Sequence, residues 1–403
     1  MMKLNSLLKI CVIFQRFGPY HHARLLAASM VCNLSAIEYS AFDDTYAWDM
    51  IPKSNQFCQT KLFTDECLNQ QSHDDIKDRL WLILKELAPD VVAIPGWSSH
   101  FALLALSWCR KNNVPTIIMS DSQEIDEPRI WWKDKIKSLI VNQFSSGFVA
   151  GISHRHYLHK LGQPSERIFL GYDVVDNNHF DEGASNARKS KKQLKSLMNL
   201  PEQYFITSNR FIEKKNILRL IDAYDAYKNF SVKPAWHLVI IGDGLLRSTL
   251  EKKIDNLGLT EWVHLPGFIQ YPKLPIYYGL AEVYIQASTT EQWGLAVNEA
   301  MASSLPVLVS NRCGCVSDLV NEGMNGFTFD PYDVNALVEL MLRVAADDFD
   351  HGAMGTVSRE IIDRWTPEVF AINLLKAANA ALKAPRPKMT LLDRALLWTL
   401  IRR

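Results

Sequence analysis

Short β-branched or apolar runs alternate with helix-patterned stretches along the chain, and the alternation breaks once, in a polar stretch from Asp181 to Gln193, before restarting. Such alternation is the pattern of a parallel sheet covered by helices. Before the break, strands are expected at 9–14, 91–94, 116–119 and 147–150. Helices are expected at 23–32, 75–87, 101–111 and 130–144, where apolar residues recur at three- and four-residue steps. After it, strands are expected at 204–209, 237–241, 263–266, 283–287 and 307–310, with helices starting near Asn216, Leu245 and Leu295. The expected fold is therefore α/β: two Rossmann-like, doubly wound domains facing a central cleft, an N-terminal one over 1–182 and a C-terminal one over 198–365. The polar residues at 183–197, with almost nothing to bury, read as the linker.

At 403 residues the chain exceeds one ordinary core. Its 48% hydrophobic and 22% charged residues are those of a folded globular protein. With 44 basic and 44 acidic residues there is no bulk attraction to nucleic acid, so any bound anion must be held locally. The apolar run at 7–14 is too short to span a bilayer and no small-residue cleavage site follows it, so it reads as the first buried strand. Seven scattered cysteines (Cys11, Cys32, Cys58, Cys67, Cys109, Cys313, Cys315) suit free thiols in a reducing, cytoplasmic setting. Cys313 and Cys315 form one close pair without a second cluster at metal spacing, and no metal site is expected. The paired acids Asp43-Asp44 and Asp347-Asp348 read as solvated loop carboxylates.

The most informative segment is Ala287-Ser-Thr-Thr-Glu291-Gln-Trp-Gly294-Leu-Ala-Val-Asn-Glu299. A strand ends, a polar loop with one glycine follows, and an apolar-periodic helix begins. That arrangement puts helix N-terminal N–H groups at the carboxyl end of a parallel strand, where an anion such as a diphosphate is favoured. Taken alone, Glu291 reads better as a helix cap and Glu299 as a solvated helix residue, and it is the context that favours a ligand. Upstream, Arg210, Lys214 and Lys215 open a helix after the first strand of the second half. Cations there oppose the helix dipole unless an anion binds, and arginine and lysine supply a fork and a point charge to phosphate.

The Glu-x7-Glu spacing of Glu291 and Glu299, the Arg210–Lys215 pair, Ile241-Gly242-Asp243-Gly244, Leu265-Pro-Gly267-Phe268, the run from Glu299 to Pro306 and Asn321-Glu-Gly-Met-Asn-Gly326-Phe together resemble the retaining glycosyltransferases of family 4, with the GT-B fold. The likeness is strong over 208–333 and weak before it. By that resemblance Arg210 and Lys215 hold the diphosphate of a nucleotide sugar, Glu291 contacts the transferred sugar and Glu299 the ribose. Backbone amides of Gln292, Trp293, Gly294 and Leu295 complete the phosphate cradle, with Gly242 and Phe268 also on the donor side. The family's paired glycines stand here as Cys313-Gly314-Cys315, and a glycine after the helix as Ser304. The resemblance also implies a helix at 366–385 that crosses back to the first domain.

In the first half, Gly18 lies where the family has a glycine-rich loop, one glycine standing for two; His21, His22 and Arg24 follow it. These three are candidates to meet an acceptor or the leaving group, and the two histidines read equally as solvated helix-start residues. The family carries a histidine just after the strand that here ends at Pro95, with His100 a few residues on. His100 reads either as a helix-surface or structural residue or as a substitute for that histidine. Asp121, at another strand end, either binds acceptor hydroxyls or caps a helix.

The implied activity is transfer of a hexose-type sugar to an acceptor hydroxyl with retention, in polysaccharide or glycolipid biosynthesis. No metal or other cofactor is expected beyond the nucleotide-sugar co-substrate. The alternatives are a nucleotide-sugar epimerase of the same fold and a non-catalytic nucleotide-sugar-binding subunit. The tail at 386–403 is expected to form a basic, apolar helix. Over the last 21 residues six basic side chains face one acid, Asp393. Trp398 and the basic-aromatic stretch Arg129-Ile-Trp131-Trp132-Lys133 suit an anionic membrane surface and a lipid-linked or saccharide acceptor; docking of the tail on the first domain is the competing expectation.

Overall fold

The computed structural model describes residues 7–39, 54–63, 72–386 and 389–402. Cys67, Asp43 and Asp44, and within the tail Pro387, Lys388 and Arg403, lie outside them. The chain divides into two units, Met1–Val174 with Pro367–Arg403 and Val175–Thr366.

The first unit begins with β1 (Lys9–Phe14), α1 (Pro19–Ser29), β2 (Asn33–Glu38), β3 (Cys58–Lys61), α2 (His73–Leu87), β4 (Val91–Pro95) and α3 (His100–Lys111). It continues through β5 (Thr116–Ser120), α4 (Trp131–Val141), β6 (Ser146–Val149), α5 (Ile152–Lys160) and β7 (Ile168–Leu170). Among the described residues the sheet has the order β3-β2-β1-β4-β5-β6-β7, every pair parallel. Ile10 to Phe14 and Val91 to Ile94 are buried without interruption, because both sheet faces are covered. The helices fold for local reasons as well. In α2, Ile76, Leu80 and Leu84 recur at four-residue steps and are buried, while Ser72 and Asp75 exchange capping bonds of 3.2 and 3.1 Å.

The second unit starts with α6 (Asn177–Lys189) and α7 (Lys191–Leu197), then runs β8 (Tyr204–Ser208), α8 (Ile217–Phe230), β9 (His237–Ile241), α9 (Arg247–Asn256) and β10 (Val263–Gly267). It returns through α10 (Leu274–Leu280), β11 (Val283–Gln286), α11 (Leu295–Ala302), β12 (Val307–Ser310), α12 (Val316–Leu319), β13 (Gly326–Phe329), α13 (Val334–Val344) and α14 (His351–Ile362). The parallel sheet has the order β10-β9-β8-β11-β12-β13. The chain winds outward from β8 to β10 and comes back to lay β11 beside β8. The crevice at the carboxyl ends of β8 and β11 is thus the switch point at which open α/β sheets take ligands.

The stretch expected as a linker, 183–197, is instead helical and belongs to the second unit. Its small residues are what it packs with. A Cβ on Gly183 would sit 2.5 Å from Pro275 Cβ, and one on Gly279 would sit 2.6 Å from the Ala184 backbone, so α6 and α10 touch nearly backbone to backbone. Asp176 caps α6 by accepting the His179 N–H at 3.1 Å.

After Thr366 the chain rejoins the first unit as α15 (Pro367–Lys383), whose buried face is Phe370, Leu374 and a series of alanines. It packs on α1, and the Ser146 hydroxyl donates to Ala377 O at 2.9 Å. The last helix, α16 (Leu391–Ile401), carries a Thr390–Asp393 capping box and packs on α3. Its Leu397 enters the first unit's core, with Met389, Leu396, Leu400 and Ile401 partly buried beside it. One face of the tail is therefore docked on the protein. Among the described residues no helix is long and apolar enough to cross a membrane.

Candidate functional site

Polar side chains from the ends of β8 and β11 meet across the switch point. Asn209 Oδ1 accepts from Gln286 Nε2 at 3.0 Å, and the same amide nitrogen donates to Ser288 Oγ at 2.7 Å. Gln286 Oε1 accepts the Tyr284 hydroxyl, and Asn209 Nδ2 donates to Thr207 Oγ1 at 2.7 Å. All these side chains are buried, and the network keeps their polar atoms paired. Ser288 Oγ donates onward to Glu291 Oε2 at 3.3 Å, and that oxygen is also ion-paired with Lys215 Nζ. Burial acts to raise the Glu291 carboxyl, but Lys215, Lys214 and the bonds from Lys215 and Ser288 outweigh it, so the group is held below the ordinary carboxylate range as an anion.

The loop carrying Glu291 is clamped on both sides. Thr289 N donates to Lys214 O at 2.9 Å, Arg312 Nε to Thr289 O at 2.6 Å, Gly314 N to Glu291 O at 2.9 Å and Cys315 N to Trp293 O at 3.2 Å. Trp293 is buried, donating to Asn298 Oδ1 at 2.9 Å with its ring 5.1 Å from that of Trp365. Gly294 starts α11 at φ 111°, a left-handed conformation that favours glycine. Glu299, one turn into α11, is only 2% exposed, and its Oε2 accepts the Tyr278 hydroxyl at 2.6 Å. Arg210 and Phe268 are half-buried just past the ends of β8 and β10. Gly242, at φ 132°, lies where the β8 and β9 loops meet: a Cβ there would be 1.8 Å from Asn209 O. Cys313 and Cys315 are buried beside Glu291, and burial first, then a neighbouring charge or thiol, pushes both thiols up, so they are neutral.

In the first unit, Gly18 is extended (φ −110°, ψ 178°), a conformation open to any residue, and its N–H donates to His21 Nδ1 at 3.1 Å. The His21 ring packs 4.4 Å from Phe14; burial, then Arg24, brings its pKa down to about 3, leaving it neutral. Burial also lowers His22. Arg24, expected as an acceptor contact, is 2% exposed and belongs to the interior. Its guanidinium is 3.2 Å from Asp173 Oδ1, and Nε donates to Val174 O at 2.9 Å. His100 lies 2.7 Å from His73 and bonds to the Ile401 backbone, which places it under the tail helix. Asp121 follows β5, two residues before Gln123, the N-cap position of the next helical turn. Glu38, which the sequence did not single out, is buried at the end of β2 and pins the loop after β1 by accepting the Phe17 N–H at 2.8 Å.

Residues 188–360 match the family model described as glycosyl transferases group 1. That span covers most of the second unit and every residue of the network above. The chain is 37% identical over 164 residues to the alpha-monoglucosyldiacylglycerol synthase of Acholeplasma laidlawii, 40% of this chain and 39% of that protein. It thus spans about two-fifths of that relative's length. Among solved structures it resembles a sucrose-phosphate synthase from Thermosynechococcus elongatus (TM-score 0.72, 17% identity, 92% of this chain and 98% of that one). It also resembles Anabaena Alr3699/HepE in complex with UDP-glucose (TM-score 0.69, 18% identity, 92% and 98%). These likenesses show a GT-B fold, two parallel sheets flanked by helices.

Within the group 1 span the structure brings Lys215 and Glu291 into contact and holds Glu299 on Tyr278. Asn209, Tyr278, Gln286 and Ser288 were not singled out from the sequence. For Asn209, Gln286 and Ser288 the only sequence signal is polarity beside strand ends, which becomes distinctive once the switch point is known; Tyr278 lies within α10 and carries no such signal.

Proposed function

We propose that the chain is a retaining glycosyltransferase that moves a hexose-type sugar from a nucleoside-diphosphate donor to an acceptor hydroxyl, with the donor held in the second unit. The observation that carries this reading is the Lys215–Glu291 ion pair beside the buried Asn209–Gln286 bridge at the switch point. A cation for phosphate and an ionised carboxylate for sugar hydroxyls stand side by side there. Arg210, Lys215 and the first-turn N–H groups of α11 take the diphosphate, and Glu291 takes the sugar. Glu299, oriented by Tyr278, takes the ribose, a role resting on the family resemblance alone.

In the reaction the anomeric C–O bond to the diphosphate breaks and the acceptor oxygen bonds to the same face of that carbon. The acceptor proton passes to the departing phosphate oxygen. Arg210, Lys215 and the amides stabilise the charge that develops on the diphosphate, so no metal belongs to the proposal. The acceptor is saccharide or lipid-linked, in polysaccharide or glycolipid biosynthesis, and the enzyme works at the cytoplasmic face of a membrane. The Acholeplasma laidlawii relative's name and the UDP-glucose in the Anabaena complex support the substrate classes. His22 and Asp121 are the acceptor contacts that remain in the first unit.

A panel of nucleotide sugars tests this through thermal stabilisation and sugar release, with and without chelator, and through the anomeric configuration of the transferred sugar. At least one donor is expected to stabilise the chain and be turned over with retention in the presence of chelator. Stabilisation by no nucleotide sugar, or an inverted product, would overturn the reading.

A further inference from the structure

The tail helix α16 has two faces of different fate. Leu397 is buried in the first unit's core, with Leu396, Leu400 and Ile401 beside it. On the outward side Leu391 and Leu392 are each 82% exposed and Trp398 is 58% exposed. Positions 391, 395, 398 and 402 share one helical stripe. Arg394 and Arg402 are also exposed, and the Arg402 guanidinium lies 4.3 Å from the Trp398 ring. The capping box and the docked face hold α16 in place, so these leucines are not unfinished core.

We propose that this outward face of α16 docks on an anionic lipid surface. Leucines and a tryptophan flanked by arginines are the combination that lies in a headgroup layer: the apolar groups leave water while the guanidiniums meet phosphate. Acids are close by, and they are tied to neighbours. Asp393 serves the cap, and Asp74 is paired with Lys77 and lies near Arg402. A second copy of the chain is a poorer occupant, because a two-fold contact through this stripe would set its arginines against themselves. A further exposed apolar site, Trp131 (82%) and Trp132 (46%) with Lys133, lies at the start of α4. The Ile140 and Val141 of α4 share the core that receives Leu397. The inference rests on the proposed function only in that a lipid-linked acceptor gives the enzyme a reason to sit on a membrane.

Co-sedimentation of the full chain with vesicles of phosphatidylcholine alone, or mixed with phosphatidylglycerol, tests the surface. The full chain is expected to bind the mixed vesicles, more weakly in high salt, and the Leu391→Glu/Leu392→Glu variant roughly tenfold more weakly. Stabilisation by a nucleoside diphosphate is expected to be the same in both proteins, so that a failed donor site and a failed docking face give different results. Equal vesicle binding by the variant, or none by the full chain, overturns the proposal. So does loss of binding in Trp131→Ser/Trp132→Ser with none in the tail variant, or a dimer that the tail variant abolishes without any vesicle binding.

Discussion

Lys215 and Glu291 neutralise each other: the ammonium from the turn after β8 is ion-paired with the carboxylate from the loop after β11, and each side chain is 13% exposed. Under the proposed function, an anionic diphosphate arriving at this site would compete with Glu291 for Lys215. With the lysine turned to phosphate, the carboxylate would be released toward whatever lies beside the diphosphate, which in a nucleotide sugar is the sugar.

This exchange gives Glu291→Gln a distinctive signature. The amide keeps the shape but no longer holds Lys215, so affinity for the free nucleoside diphosphate is expected to be unchanged or tighter, while turnover falls on the order of a hundredfold. Isothermal titration with the diphosphate and steady-state transfer rates make the comparison. Parallel loss of affinity and rate would place Glu291 on the diphosphate or ribose instead.

Removing the other partner acts on stability. In Lys215→Met the half-closed carboxylate keeps its burial and loses its main counter-charge, a loss on the order of 3 kcal/mol at neutral pH. The pH dependence has a definite sign. In the parent, Glu291's depressed pKa contributes stability above the unfolded carboxylate value of about 4.3, and that contribution fades as pH falls through the folded value. In the variant, burial opposed only by Lys214 and the Ser288 hydrogen bond raises the carboxyl, so protonation relieves it. The difference in Tm between variant and parent should therefore be largest near pH 7 and shrink toward pH 5. A difference that stays constant across that range would show that the pair is not the cause.

Glycines at 242 and 18 make a contrasting pair. A methyl group at Gly242 would meet Asn209 O at 1.8 Å from a left-handed backbone, so Gly242→Ala should cost about 1–3 kcal/mol or more and disturb the Asn209–Gln286 bridge. Gly18 is extended, and Gly18→Ala should leave Tm nearly unchanged. If thermal unfolding showed Gly18→Ala to be the more damaging, the loop after β1 would be under a constraint that its backbone angles do not display.

The same contrast explains what could be read from the sequence. Strands buried on both faces, such as β1 and β9, announce themselves as apolar runs of four or five residues after one polar opening residue. By contrast β3, Cys-Gln-Thr-Lys, and the four-residue β13 carry too few apolar residues to stand out, and β2 and β7 were passed over too. The glycine and alanines of α6 looked like linker composition because close helix contact uses small residues, and which helix they contact is not local information. In the candidate site, Arg210, Lys215, Glu291 and Glu299 could be picked out because the family-like motifs that carry them are contiguous in sequence, while their roles belong to the proposal. Tyr278, which holds Glu299, comes from α10 and becomes a partner only in three dimensions.

Arg24 shows the reverse error, a motif residue whose sequence position suggested a ligand and whose environment is structural. Its guanidinium is enclosed with Asp173 and Val174 O, 5.4 Å from the Tyr172 ring. Burial acts to raise the Asp173 carboxyl, with Arg24 pulling the other way, so the acid depends on its partner. Truncation in Arg24→Ala leaves that acid buried without its cation and should cost about 3–5 kcal/mol. Arg24→Lys keeps the charge but loses the fork that reaches Asp173 and the carbonyl together, so it should recover only part of the loss. Acceptor KM in the folded fraction of either variant should match the parent's, measured below its Tm. A raised acceptor KM with an unchanged Tm would return Arg24 to the acceptor site and remove it from the core.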